Sequence, residues 1–280
     1  MPIELPPGTA AYSEDTPPAN NRQLLTLLGL FLLGIGLAVG LALWLAGAVV
    51  WLIPTSVEQQ LGRAIVPVYE AQSKPSATQD VLNELLDRLE THLPEEQAER
   101  DYQVLYVPED VVNAIAIPGD RVIIYKGLLT DVESENELMM VLGHELGHFA
   151  NRDHLRGLSR QVMLQLVLSG VFGDLGSVGA IATNSVSALS NAQFSQKQEK
   201  QADQLGLRLL AEEYGHAAGA TAFFSRLAAE GELQNLPGMA IFASHPPSAE
   251  RVRAIEQQIE QQGYSIKETA PLAQPLEEPQ

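Results

Sequence analysis

The chain of 280 residues carries 17 basic and 35 acidic side chains, a formal net charge of −18, and is 45% hydrophobic. That length supports one substantial core plus an anchor and tails, and the apolar content excludes a wholly disordered chain. The acidity argues against nucleic acid as a partner, because binding it needs a basic surface that displaces counterions. With no cysteine there is no disulfide and no thiolate metal site, so any metal has to be held by histidine and carboxylate.

Residues 1–23 contain Pro2, Pro6, Pro7, Pro17 and Pro18 among acidic and small residues and read as a disordered tail. From Leu24 to Ile53 there is no charged side chain, a run longer than the roughly 20 residues a helix needs to cross a hydrocarbon core. A buried core helix of that length would carry a polar stripe, so residues 24–53 are expected to form one transmembrane helix. A cleaved signal peptide fits less well, since its apolar run is shorter and its leading flank basic. Gly36 and Gly40 are spaced for close packing of a second helix, or simply reflect the composition of membrane helices. Arg22 on one side and Arg63 and Lys74 on the other do not choose an orientation.

Residues 54–264 are expected to form one α+β domain, mainly helical, with a small antiparallel sheet. Val81, Leu85, Leu89 and Leu93 place an amphipathic helix over Thr78–Leu93, stopped by Pro94. Short β-like runs follow at Tyr102–Val107, Val111–Ile117 and Arg121–Tyr125, with Pro118-Gly119-Asp120 as a hairpin turn. Ser134 to Glu137 is a capping box opening a helix through about His154. Further helices are expected from Gln193 to Glu213, closed by Gly215, from Ala217 to Ala229, and from the Ser248 cap to about Gln262. Met163–Ala188 reads as a second span or as a loop-bearing helical pair, and Gly170–Asn191 as a lid or a connector. Residues 265–280, rich in Pro and Glu, read as a disordered acidic tail.

His144-Glu145-Leu146-Gly147-His148 carries the chemistry. Four residues apart on a helix, His144 and His148 share a face and can turn a ring nitrogen each toward one ion. Glu145, about 100° round the helix, reaches a metal-activated water without occupying the metal, as a general base must. The uncharged flanks Val141-Leu142-Gly143 and Phe149-Ala150 imply burial, and burying these three polar groups without a partner would be costly. Two histidines leave an ion short of ligands. Glu199, on one helix face with Asp203, is the best candidate to complete a His2Glu site, and Asp203 to hold the far nitrogen of a ligand histidine. On position alone, both read as solvated surface carboxylates.

Together these residues resemble peptidase family M48, in particular its HtpX-like membrane zinc metalloproteases, over roughly Gln79 to Gln262. The zinc helix matches at His144, Glu145 and His148. Ser195 to Gly206 is similar to the family pattern Ser-Arg-x-x-Glu-x-x-Ala-Asp-x-x-Gly, with Gln196 where the family has Arg. His245-Pro246-Pro247 with Arg251 is similar to its His-Pro-Pro-x-x-x-Arg element, and Val112-Asn113-Ala114 to its Asn-Ala strand.

The resemblance implies a zincin-like fold and one zinc ion per chain, held by His144, His148 and Glu199, with Glu145 as the base. It implies His245 as a catalytic auxiliary near the metal, Arg251 as a supporting residue, and a substrate strand lying beside Asn113 and Ala114. The activity implied is a membrane-anchored endopeptidase acting on polypeptide at the bilayer, with a role in membrane-protein or envelope quality control. A membrane-tethered chaperone or assembly factor holding clients in the same groove is the alternative. Membrane sidedness, self-association and membrane-protein clients stay open.

Overall fold

The computed structural model describes residues 20–98, 100–160, 194–231, 240–245 and 248–277. The sequence expectations for residues 1–19, 163–188 and 170–191 fall outside those residues. Helix α1 spans Asn21–Val49, opened by a capping box between Asn20 and Gln23, and passes into a single 3-10 turn over Val50–Leu52. It is long and apolar enough to cross a membrane, with a mean hydropathy of 2.5, and its leucines face outward. Helix α2 (Thr55–Glu70) follows directly. It was not among the expected elements.

Helix α3 (Ala77–Glu90) is capped by Ser76 and buries Leu82, Leu85, Leu86 and Leu89. After the single turn α4 (Glu95–Ala98), three strands form one sheet: β1 (Gln103–Val107), β2 (Ala114–Ile117) and β3 (Arg121–Tyr125). The order is β1-β3-β2, so the hairpin folds β3 into the middle. β2 and β3 are antiparallel, but β1 runs parallel to β3, and the sheet is therefore mixed rather than wholly antiparallel. The connection over 108–113 carries the chain from β1 to the far edge, which is what leaves room for β3 between them.

Burial on both faces explains why the strands are apolar apart from their leading Gln103 and Arg121. Val104, Tyr106, Ala116, Val122 and Ile124 face the helical core, while Leu105, Val107, Ile115, Ile117 and Ile123 face α2 through Ile65 and Tyr69. The outer edge of β1 is closed by α3, whose Asn83 and Gln79 side chains accept from the N–H groups of Val104 and Tyr106. Among the described residues no strand pairs with the outer edge of β2.

The β2–β3 turn has φ of 92° at Gly119 and 61° at Asp120. A side chain at Gly62 of α2 would collide with the Gly119 backbone, so both glycines are needed for α2 to lie flat on the turn. A buried charge cluster locks this contact. Arg100 bridges Glu58 and Asp120, Gln59 donates to Asp120 at 2.5 Å, and Glu58 meets His154 at 2.8 Å.

The one-turn helix α5 (Lys126–Asp131) leads into α6 (Glu135–Ala150), capped by Ser134 and buried without interruption from Asn136 to Phe149. The expected continuation to His154 does not occur. The chain breaks at Asn151 and Arg152, the latter at φ 55°, and restarts as a helical stretch over 153–160. Helix α7 (Gln196–Tyr214) opens on a Ser195–Gln198 capping box and closes on left-handed Gly215. Helix α8 (Ala222–Gly231) starts five residues later than expected, after a turn in which Gly219 packs on Asn136. The single turn α9 (Ile241–Ser244) precedes α10 (Ala249–Gln262), which is capped by Ser248.

Residues 265–277, expected as a disordered tail, instead strap the domain. Ala270 accepts from the N–H of Glu135 and donates to Asn136, and α11 (Gln274–Glu277) sinks Leu276 into the core. Ala270 thereby satisfies a backbone donor of the first turn of α6, and Leu272 and Ala273 pack beside Leu276, so a few apolar residues override the composition.

Burial alone would raise Glu58, but His154 and Arg100 outweigh it and hold its carboxyl down, from 4.5 to about 2. A depressed carboxylate stabilises the fold above its unfolded value and loses that contribution as pH falls through the folded one. Thermal unfolding between pH 5 and 2 should therefore show a steep loss of stability in the wild type, and Glu58→Gln should flatten the part of that slope nearest pH 2–4.

Candidate metal centre

Helices α6 and α7 approach until their backbones touch. A side-chain carbon on Gly143 would stand 2.9 Å from the Cα of Gly206, and one on Gly147 2.6 Å from the Cα of Ala202. Both distances are below any ordinary contact, so only glycine permits this approach. Gly147 lies inside the motif, between Glu145 and His148, and Ala202 and Gly206 recur at the helical period after Glu199. The contact therefore sets the first turn of α7 against the last turns of α6.

Four side chains converge there. His144 Nε2 is 3.1 Å from His148 Nε2, 3.2 Å from His245 Nδ1 and 3.7 Å from Glu199 Oε2. Glu199 Oε1 is 3.5 Å from His148 Nε2 and 3.1 Å from His245 Nδ1. These four donor atoms lie within 4.8 Å of one another, and all four residues are buried. His245 thus brings a fourth donor into the cluster, closer than the neighbouring position the resemblance implied.

Both histidines of α6 are held from behind by carboxylates. His144 Nδ1 meets Asp203 at 2.9 Å and His148 Nδ1 meets Asp153 at 3.0 Å. Each carboxylate is itself fixed, Asp203 by two bonds from Arg251 (2.7 and 3.0 Å) and Asp153 by the Gln198 amide at 2.6 Å. With the Nδ1 protons committed to carboxylates, each Nε2 turns a lone pair inward. Two lone pairs 3.1 Å apart beside a sealed carboxylate are a donor set that fits a cation. A buried cluster of this composition without one would be costly.

The electrostatics agree. Burial would lower His148, yet its bonds to Asp153 and Glu199 outweigh that and push it up to about 10. Burial pushes His144 below the usual range, and the charge of His148 adds to this against the pull of Asp203. Burial would raise Glu199 and Asp203, but the surrounding histidines, with Arg251 beside Asp203, hold both well below the carboxylate range. The centre is anionic enough to favour positive charge, and a metal ion would displace the proton that otherwise answers it.

Glu145 is buried beside the donors, its Oε1 3.7 Å from His245 Nε2, against an apolar cavity walled by Val141, Phe224, Leu227 and Ile241. Arg251 lies 2.5 Å from Glu199 Oε2 as well as on Asp203, so its one positive charge is shared between the two carboxylates. Asn113 and Ala114 are buried at the start of β2. The Asn113 amide accepts from the Ala114 N–H, so neither side chain projects toward solvent.

Asp153, Gln198 and Phe194 were not singled out from sequence. Phe194 stacks on His148 with ring centroids 4.0 Å apart. The signal for Asp153 is its place just past the end of α6, where the chain turns back over the last turn. The remaining histidines are structural: His154 on Glu58, His92 on Glu213 at 3.0 Å, and His216 accepting from the Ala218 N–H.

Comparison with known proteins identifies the family. A family model described as Peptidase family M48 matches residues 73–259, two thirds of the chain, and the chain belongs to that family. Among its relatives, the metalloprotease LoiP of Escherichia coli is 32% identical over 169 residues, covering 58% of this chain and 64% of that protein. The mitochondrial metalloendopeptidase OMA1 of Arabidopsis thaliana is 35% identical over 39% of this chain and 22% of its own length. A putative beta-barrel assembly-enhancing protease of Vibrio cholerae is 25% identical over 64% of this chain and 40% of its own. The chain thus spans less than two thirds of the curated relatives named here.

Two outcomes are expected. Asp153→Asn and Asp203→Asn should each weaken metal binding about 10- to 100-fold, read by competition with a chelator, because each removes the carboxylate that fixes a ligand histidine. Gly206→Ala drives a methyl group to 2.9 Å from the His144 backbone nitrogen. It should cost about 1–3 kcal/mol in urea unfolding and lower the metal content.

Proposed function

We propose that the chain is a membrane-anchored zinc endopeptidase that hydrolyses polypeptides with His144, His148 and Glu199 as metal ligands and Glu145 as general base. The observation that carries this reading is the convergence of two imidazoles and a carboxylate, each imidazole backed by its own carboxylate, beside a buried Glu145. The donor separations of 3.1–3.7 Å suit zinc. A tetrahedral ion with ligands at about 2.0–2.1 Å sets its ligand atoms roughly 3.3 Å apart. The absence of cysteine and the Glu145 carboxylate buried beside the set favour a catalytic over a structural role.

Zinc, when bound, polarises a peptide carbonyl and acidifies a water toward a pKa of about 7. Glu145 takes the proton of the attacking water and returns it to the leaving nitrogen. His245, beside both the ligands and Glu145, supplies an N–H to the developing oxyanion, a contribution worth roughly 3 kcal/mol in comparable sites. Asp203 and Asp153 hold the ligand rings in one tautomer, and Arg251 offsets the charge of Glu199 and Asp203.

The substrate is proposed to lie extended along the outer edge of β2, beside Asn113 and Ala114, where main-chain bonds read backbone more than side chain. Support for the anchor comes from α1. Its outward leucines and Trp44, with Leu25 at 67% and Trp44 at 68% exposure, have no favourable setting in water but a natural one in lipid. Relatives named for enhancing beta-barrel assembly suggest membrane-protein or envelope quality control as the setting.

The test is cleavage of unfolded casein and zinc content, measured on the same purified full chain and its Glu145→Gln variant. The proposal expects one zinc per chain in both and a loss of cleavage of about 10²–10⁴-fold in the variant, the range a positioned base is worth, since Gln cannot act as one. Wild-type turnover in Glu145→Gln would refute the mechanism. Zinc with no cleavage in either protein would favour the client-holding alternative.

A further inference from the structure

The turn that follows the metal helix does two things at once. Asp153 holds His148. The residues on either side of Asp153 hold the end of the apolar segment and the start of α2. Arg152 Nη1 donates to the carbonyls of Val50 and Ile53, at 2.9 and 2.6 Å. The Val50 carbonyl, which opens the 3-10 turn, already accepts from the Ile53 N–H at 3.3 Å, so the guanidinium adds a second donor there and caps the end of the turn through the Ile53 carbonyl. To make these bonds Arg152 takes φ 55°, a conformation that costs a non-glycine residue energy. His154 meets Glu58 of α2 at 2.8 Å. The Arg156 guanidinium lies 5.3 Å over the Trp51 ring and 3.5 Å from Asp153.

We infer that Arg152 is a positioning residue of the metal centre, latching the end of the apolar helix to the turn that carries Asp153, so that the membrane-proximal segment is part of the site rather than a tether. This rests on the reading of His148 as a metal ligand. Asp153 is the shared element. If the latch opens, the turn is free to leave its left-handed conformation, and the carboxylate that fixes His148 loses its place. By reciprocity, metal bound at His148 tightens the latch. Metal affinity is thereby coupled to the seating of the segment from Val50 to Glu58, which lies where the chain would leave the bilayer.

The test uses the full chain in lipid nanodiscs, with zinc affinity read by chelator competition. Arg152→Asn removes the guanidinium while keeping a residue type that tolerates positive φ. It is expected to weaken zinc about tenfold, the lower end of the range for residues that orient ligands. Arg152→Lys keeps a donor for the carbonyls and is expected to stay within about threefold of wild type, a rescue that a purely steric role would not give. In Trp44→Phe, Trp51 is the sole tryptophan. Its quenching by acrylamide should rise about twofold when zinc is removed, as linkage of latch and metal requires. This second arm decides the matter if Arg152→Asn does not fold. Wild-type zinc affinity in Arg152→Asn, or a Trp51 blind to metal removal, overturns the latch. A wild-type chain that takes up no zinc overturns the metal reading itself, and the latch with it.

Discussion

The backbone contact between α6 and α7 is the constraint on which the site depends. His144 and His148 are set by one helix and Glu199 by another, with 50 residues of sequence between His148 and Glu199. Bringing a carboxylate within 3.7 Å of both rings requires the two helix axes to come closer than side chains normally permit. Gly143, Gly147, Ala202 and Gly206 make that possible. Each gives up packing area, and the glycines also cost helix propensity, about 1 kcal/mol each relative to alanine. The sheet and α3 then bury α6 on its other side, so the contact cannot relax by letting α6 move away.

Burial on that scale makes the charge arrangement follow. Six titratable groups of the centre and its surround, His144, His148, Glu199, Asp203, Asp153 and His245, are at most 4% exposed. No group in such a place can stay charged without a partner, and none of these does. Arg251 answers Glu199 and Asp203, Asp203 and Asp153 answer the two α6 histidines, and Gln198 fixes Asp153. A second buried cluster, Glu58, Arg100, Asp120 and His154, repeats the logic where α2 crosses the β2–β3 turn. Residues 152–156 join the two clusters, which is why the apolar helix and the metal centre are mechanically connected.

Much of this was legible in the sequence because local signals agreed with the tertiary outcome. Ser134 and Ser248 each cap the helix they announce, and Gly215 closes α7 as its position suggested. The four-residue spacing of His144 and His148 was readable because a helix puts such residues on one face. Long-range choices were not readable. The parallel pairing of β1 depends on where a six-residue connection crosses, and no local signal states that. Asp153 is polar and sits just outside a helix, which by pattern is a solvent-facing turn. Only the left-handed conformation of Arg152 turns it inward. Residues 265–277 have a disordered composition, and only three apolar residues, Leu272, Ala273 and Leu276, tie them down.

The central claim is that His144, His148 and Glu199 bind one ion together, and zinc-edge X-ray absorption on the zinc-loaded full chain tests it most directly. The account predicts a four-coordinate ion with only nitrogen and oxygen neighbours at about 2.0–2.1 Å, and outer-shell scattering from at least two imidazoles. That imidazole scattering should fall in His148→Ala. A six-coordinate shell of oxygen alone, or a spectrum unchanged by the loss of His148, would contradict it.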